Sequence, residues 1–233
     1  SATENPLEHE EDGYWYVDVP GAAAGDEYRF VIHRGDQTLW RIDPYAREVT
    51  NSVGNAVVHD PNYDWEGDDF TLPPINELVI YELHVGTFGA DGEEVPADLH
   101  QVAQRFDHLK QLGVNVLQLM PMAEFAGDLS WGYNPAHIFA VESAYGGPNG
   151  LKDFVKKAHQ HGLGVILDVV YNHFGPSDLD HSLWQFDGWS ENGRGGIYFY
   201  NDWRAATPWG ETRPADGRRA VRRSTGDTAI RGR

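Results

Sequence analysis

Cysteine is absent from this 233-residue chain, which excludes a disulfide framework and any thiolate nucleophile or thiolate metal site. Basic residues are few: 18 Lys and Arg stand against 36 Asp and Glu, for a formal charge of −18. A chain this acidic lacks the basic footprint that a phosphate backbone demands, so nucleic acid is not an expected partner. No apolar run approaches the length of a membrane span, and the N-terminus carries no signal-peptide pattern. Together with the missing cysteines this points to the cytoplasm, with no membrane partner. HExxH, Walker and GxGxxG patterns are also missing, so the zinc-hydrolase, P-loop and dinucleotide readings find no support.

What the chain has in quantity is aromatic rings: 8 Trp, 11 Tyr and 10 Phe. With 40% hydrophobic residues it is globular rather than disordered. Most of the rings belong in a core. Beside Asp, Asn and His, a surplus also suits sugar binding, since a flat ring can lie against the C–H face of a pyranose.

The charge is uneven. Residues 211–233 hold seven Arg and three acids, for +4, which leaves −22 on residues 1–210. The sequence divides accordingly. Over residues 1–72, "YWYVDV" (14–19), "EYRFVIH" (27–33) and "TLWRI" (38–42) read as short strands, with Gly35-Asp36 as a hairpin turn between the last two. Three clear strands make a partial β-sandwich, as a full one uses about seven. After Pro73-Pro74 the rhythm becomes β–α–β. Buried strands are expected at 77–85, 114–121 and 164–170. Amphipathic helices are expected at 97–113, with Val102, Phe106 and Leu109 inward, and at 150–162, stopped by Gly162. Apolar strands joined by helical crossovers form a parallel sheet covered on its faces. The expected fold class is therefore α/β. An eight-fold barrel takes roughly 250 residues, and three strands use residues 77–172, so residues 73–210 read as the first part of a (β/α)8 TIM barrel. A further short strand could lie within 194–202.

Chemistry gathers at the carboxyl ends of parallel strands. There "GVILDVVYNHFGP" (164–176) delivers Asp168, Tyr171, Asn172 and His173. A lone D-x-x-x-x-H is more often a satisfied polar cluster than a site. "HQH" (159–161) is not a metal pair, because positions two apart do not share a helix face.

Context decides otherwise for the first cluster. "GVNVLQLMPM", "SWGYNPAHIF" and "AYGGPNGLKDFVKKAHQHGLGVILDVVYNHFGP" together resemble the α-amylase superfamily of glycoside hydrolases (family 13), within it most nearly the branching enzymes and malto-oligosyltrehalose trehalohydrolases. "WRIDPYAREVTNSVGN" (40–55) resembles the end of the glycogen-binding β-sandwich that precedes their barrel, making residues 1–72 the C-terminal part of such a module. The resemblance covers about 10–210.

It implies that His173 hydrogen-bonds sugar hydroxyls in the −1 subsite, that Asp168 braces the base of the site, and that the Tyr133 ring stacks on the −1 sugar. Trp131 adds to that wall. Tyr171 and Asn172 complete the substrate contacts, and His84, ending the first strand, either lines the pocket or is structural. The implied ligand is an α-1,4-glucan or malto-oligosaccharide. No cofactor is implied; calcium at Asn172, a ligand in many relatives, is the one metal reading left open.

The family reaction is retaining glycoside transfer, which needs a carboxylate nucleophile and a carboxylic acid about 5 Å apart. Relatives supply these from a G-x-R-x-D motif after strand four and a Glu after strand five, and neither motif is present here. Asp168 and His173 are then supporting residues only. The Arg-rich stretch 211–233 reads as the mark of a truncated or frame-shifted product, the alternative being a naturally short protein with a basic tail. The expected function is that of an α-glucan-active, branching-enzyme-like enzyme represented by an incomplete chain, inactive alone. Trehalohydrolase or α-amylase activity is the alternative within the class. Outside it stand a non-catalytic α-glucan-binding protein and an inert fragment.

Overall fold

The computed structural model describes residues 3–90, 92, 96–205 and 229–230. The N-terminal region forms β1 (Glu8–His9), β2 (Tyr14–Tyr16), β3 (Glu27–Tyr28), β4 (Phe30–Arg34), β5 (Gln37–Arg41) and β6 (Ala56–Val57). β4 and β5 make a hairpin in register from Phe30↔Arg41 to Arg34↔Gln37. Its two-residue turn puts Gly35 at φ +55, the left-handed conformation such turns require. Hydrogen bonds join the strands into separate ladders, β1–β2, β3–β6 and β4–β5, rather than into continuous sheets. Turn residues every few positions keep the strands too short to extend further. Ala229–Ile230 adds parallel to β2; the rest of the expected tail lies outside the described residues. The small core here, Ile42, Ala46, Val49 and Ala56, includes Ala140 from the second region.

The second region is built on three parallel strands, β7 (Ile80–Leu83), β8 (Val116–Leu119) and β11 (Gly164–Leu167), in the order β11-β8-β7. The register aligns Leu83, Leu119 and Leu167 at the carboxyl end. Alternation then sorts the side chains. Tyr81, Leu83, Leu117, Leu119 and Val165 pack with the helices into the main core, each buried Leu contributing about 1.5–3 kcal/mol. Glu82, Gln118 and Ile166 turn to the opposite face, where Glu82 and Ile166 remain exposed.

α1 (Val85–Phe88) follows β7 directly, so the first buried strand ends before the expected residue 85. The expected helix 97–113 is two helices, α2 (Leu99–Ala103) and α3 (Phe106–Gln111), separated at Arg105 (φ −102, ψ 8). A capping box starts α2: Asp98 accepts from the Gln101 backbone and Gln101 from the Asp98 backbone, both at 2.8 Å, an arrangement typically worth about 1 kcal/mol. An unforeseen antiparallel pair, β9 (Ala123–Phe125) and β10 (Pro135–Val141), stands between β8 and the long helix α4 (Gly147–Gln160). No strand forms within 194–202, where bridge positions occur singly, at Arg194 opposite Glu191 and at Phe199; Asn201 instead ties the stretch together through Gly196 and Phe199. His159 faces Asp68 and His161 donates to Lys157 O (2.8 Å), so the two part company on the helix. Among the described residues no helix is long and apolar enough to cross a membrane.

Candidate active site

The carboxyl ends of β7, β8 and β11 emerge beside the loop that joins β9 to β10. That loop, residues 126–134, carries Trp131 and Tyr133. It is pinned by its own side chains: Ser130 Oγ donates to Asn134 Oδ1 and accepts from the Gly132 N–H at 3.0 Å. Gly132 sits at φ +84, and a Cβ there would lie 2.2 Å from Pro121 O. Only glycine fits so close to another backbone in that conformation.

From this loop the Tyr133 hydroxyl donates to Asp168 Oδ2 at 2.8 Å, which with Glu82 nearby raises the phenol above its ordinary pKa. The Tyr133 carbonyl meets His173 Nε2 at 2.7 Å, and His173 Nδ1 faces Asn172 Nδ2 at 2.6 Å. A carbonyl only accepts, so His173 is protonated on Nε2 and takes the Asn172 amide hydrogen on Nδ1. Tyr133, Asp168, Asn172 and His173 thus form one hydrogen-bonded group bridging loop and strand end. Glu82 and Gln118, 3.3 Å apart, lie on the adjoining sheet face.

The remaining expected residues are placed as follows. Tyr133 is 40% exposed, while Trp131 and Tyr171 are exposed at 72% and 69%. Trp131 and Tyr171 enter no ring pair or side-chain hydrogen bond among the described residues. His173 was expected to meet sugar hydroxyls, yet here both its nitrogens are held by protein partners. His84 likewise directs its ring at protein: Nε2 lies 2.7 Å from Ser130 O and Nδ1 3.0 Å from Thr87 Oγ1. Both ring nitrogens of His84 are thus engaged by protein groups. Asn172 has its amide turned to His173, and among the described residues no group of three or more His, Asp or Glu is gathered to hold a metal.

Sequence reasoning missed the group behind the site. Glu124 on β9 and Glu142 after β10 are both buried. Glu142 accepts from the Phe125 and Ala144 N–H groups, each at 3.1 Å, and Glu124 accepts from the Ser143 N–H at 2.7 Å. Each carboxyl therefore caps the opposite strand. Burial, then Glu142, pushes Glu124 up to about 8; burial pushes Glu142 up to about 7. Nothing in the spacing of two distant glutamates announces such a pair, because it exists only once β9 and β10 meet.

Known proteins provide a comparison for this geometry. The family model of the alpha amylase catalytic domain matches residues 45–202, and that of carbohydrate-binding module 48, the isoamylase N-terminal domain, matches residues 1–46. A malto-oligosyltrehalose trehalohydrolase of Saccharolobus solfataricus is 36% identical over 171 residues, which is 73% of this chain and 29% of that protein. A 1,4-alpha-glucan branching enzyme of Pseudoalteromonas atlantica is 34% identical over 201 residues, covering 78% of this chain and 27% of the relative. A crystal structure of a Salmonella typhimurium protein, provisionally described as an alpha amylase, superposes with a TM-score of 0.73 at 32% identity, covering 94% of this chain and 34% of that one. The chain therefore spans under a third of the length of these two curated relatives.

Proposed function

The chain belongs to the α-amylase catalytic-domain family, of α/β TIM-barrel class, and from that premise we propose that its site holds an α-1,4-linked glucose chain. The observation that carries this is the Tyr133–Asp168–His173–Asn172 group at the strand ends. In this reading the exposed Tyr133 offers its ring to the −1 sugar, with its hydroxyl tied to Asp168 so that the ring plane is fixed before the ligand arrives. Preorganisation of this kind lowers the entropy lost on binding. Trp131 and Tyr171, both exposed, offer further ring surface to neighbouring sugars. His173 keeps the loop seated and exchanges its Tyr133 carbonyl bond for a sugar hydroxyl when the loop adjusts. The ligand is neutral, in keeping with −22 on residues 1–210.

The activity we propose for the whole enzyme is that of a branching-enzyme-like glycoside hydrolase or transglycosylase with a retaining mechanism. A carboxylate attacks the anomeric carbon, a carboxylic acid protonates the leaving oxygen, and a glucan hydroxyl or water then takes the glycosyl group. The sequence contains neither G-x-R-x-D nor the acid Glu motif, so this chain contributes sugar contacts and not the reacting pair. A second reading, glucan binding without cleavage, rests on the match of residues 1–46 to carbohydrate-binding module 48. For both, residues 1–72 are proposed as the tail of a glycogen-binding module.

Titration calorimetry with maltoheptaose, alongside a reducing-sugar assay, tests the proposal. Measurable binding without turnover is expected. Tyr133→Ala should weaken binding about tenfold, or roughly 1.4 kcal/mol; unchanged affinity would remove Tyr133 from the site.

A further inference from the structure

His84 is the N-cap residue of α1, and its ring lies between three groups. Nε2 is 2.7 Å from Ser130 O and 2.9 Å from Tyr145 Oη, while Nδ1 is 3.0 Å from Thr87 Oγ1. Ser130 O has no hydrogen to give, so the hydrogen is on Nε2, shared between that carbonyl and the Tyr145 oxygen. Nδ1 is left with its lone pair, into which the Thr87 hydroxyl donates. The ring is thereby fixed in plane, in tautomer and in distance.

Each contact leads somewhere. Ser130 is the residue that closes the aromatic loop through Asn134 and Gly132. Tyr145 is buried, edge-on to both His84 and Phe125. Its backbone follows Ser143 and Ala144, the two residues held by Glu124 and Glu142. Gly86 makes room, since a Cβ there would lie 3.1 Å from Tyr145 Oη and 3.2 Å from His84 Cε1. A continuous set of short contacts thus runs from the buried carboxyl pair to the loop that carries Trp131 and Tyr133.

We infer that His84, as the Nε2–H tautomer braced by Tyr145, is a positioning residue that sets the height of loop 130–134 over the strand ends, so that Tyr133 reaches Asp168 with its hydroxyl and His173 with its carbonyl. It acts from behind the loop and touches no sugar. The ligand half of this inference rests on the glucan reading above; the loop half does not.

The test uses the intact chain, with maltoheptaose as the probe, and three substitutions. His84→Leu removes the donor. His84→Gln returns an N–H near the Nε2 position. Tyr145→Phe keeps the buried ring and removes only the brace. Nitrogen-15 spectra of the imidazole should show hydrogen on Nε2; hydrogen on Nδ1 instead overturns the inference. In His84→Leu, the Gly132 amide should exchange about tenfold faster or more, while the Leu117 and Leu119 amides in the sheet keep their rates. Maltoheptaose affinity should fall about three- to tenfold. His84→Gln should bring both within about twofold of the original, a rescue that a mere packing role would not give. If Gly132 exchange is unchanged in His84→Leu, the inference fails. Should that variant not fold, Tyr145→Phe decides, with a rise at Gly132 of about threefold expected and no rise overturning the inference. If the unsubstituted chain binds no maltoheptaose but loop exchange behaves as described, the positioning role stands and the glucan reading falls.

Discussion

Replacing Glu124 by Gln should flatten the pH dependence of stability in a defined window. Glu124 and Glu142 are buried, and each accepts backbone N–H groups from the opposite strand. These bonds favour the carboxylate, but burial and then the neighbouring Glu142 charge outweigh them, and Glu124 is pushed from 4.5 to about 8. A raised carboxyl pKa means that the folded state holds the proton more tightly than the unfolded one. Its stabilising contribution is complete below about pH 4.5 and is lost as pH rises through about 8. At 1.36 kcal/mol per unit the full shift bounds the loss at roughly 5 kcal/mol, and relaxation of a buried site brings the expected figure to about 2–4 kcal/mol. His137 pulls the other way. Burial lowers its pKa, so its neutral form loses stability as pH falls through the ordinary histidine range. It is untouched in the variant and cancels in the difference. Urea unfolding followed by tryptophan fluorescence at pH 5, 6.5 and 8 is the assay. Glutamine keeps an acceptor for the Ser143 N–H and cannot ionise. It should start about 1 kcal/mol less stable at pH 5, where its amide hydrogens lack partners, and overtake the parent by pH 8. A parent-to-variant difference that stays constant across the three pH values would refute the reasoning.

Three further outcomes are expected. Gly132→Ala forces a Cβ against Pro121 O at φ +84; it should cost about 1–3 kcal/mol in urea unfolding and weaken maltoheptaose binding about tenfold. Leu117→Ala empties a fully buried position in the parallel sheet and should cost about 2–5 kcal/mol, without a change in maltoheptaose affinity once the fold is corrected for. Chelation with EDTA should leave both melting temperature and affinity unchanged; a fall in either that Asn172→Ala abolishes would establish Asn172 as a calcium ligand.

The parallel strands are legible because Val116, Leu117 and Leu119 are buried in an apolar run, although the opposite sheet face leaves Glu82, Ile166 and Leu167 exposed. Asp168 and His173 are legible because a strand end has to deliver them somewhere. The break at Arg105 is not legible: Val102, Phe106 and Leu109 keep helical spacing on either side, and periodicity does not register a change of axis at one residue. Nor is the β9–β10 pair, whose β10 opens with Pro135 and places His137 inside. Its two glutamates read as surface residues until the strands meet. For His84 the strand position is readable, but its direction depends on Ser130, 46 residues later, and on Tyr145, 61 residues later.

Arg41 on β5 donates from Nε to Phe186 O (2.9 Å), from Nη1 to Asp180 O (3.0 Å) and from Nη2 to Gln185 O (3.1 Å). Beside it the Ile42 N–H donates to His181 O at 2.7 Å, and Ser52 Oγ donates to Asp178 Oδ2 at 2.9 Å. The N-terminal strands are consequently bracketed to the loop after β11, not tethered by a linker. On the proposed glucan reading, a chain long enough to touch both regions would meet two surfaces held at a fixed span, so its avidity would depend on whether the sugar repeat matches that span rather than on length alone.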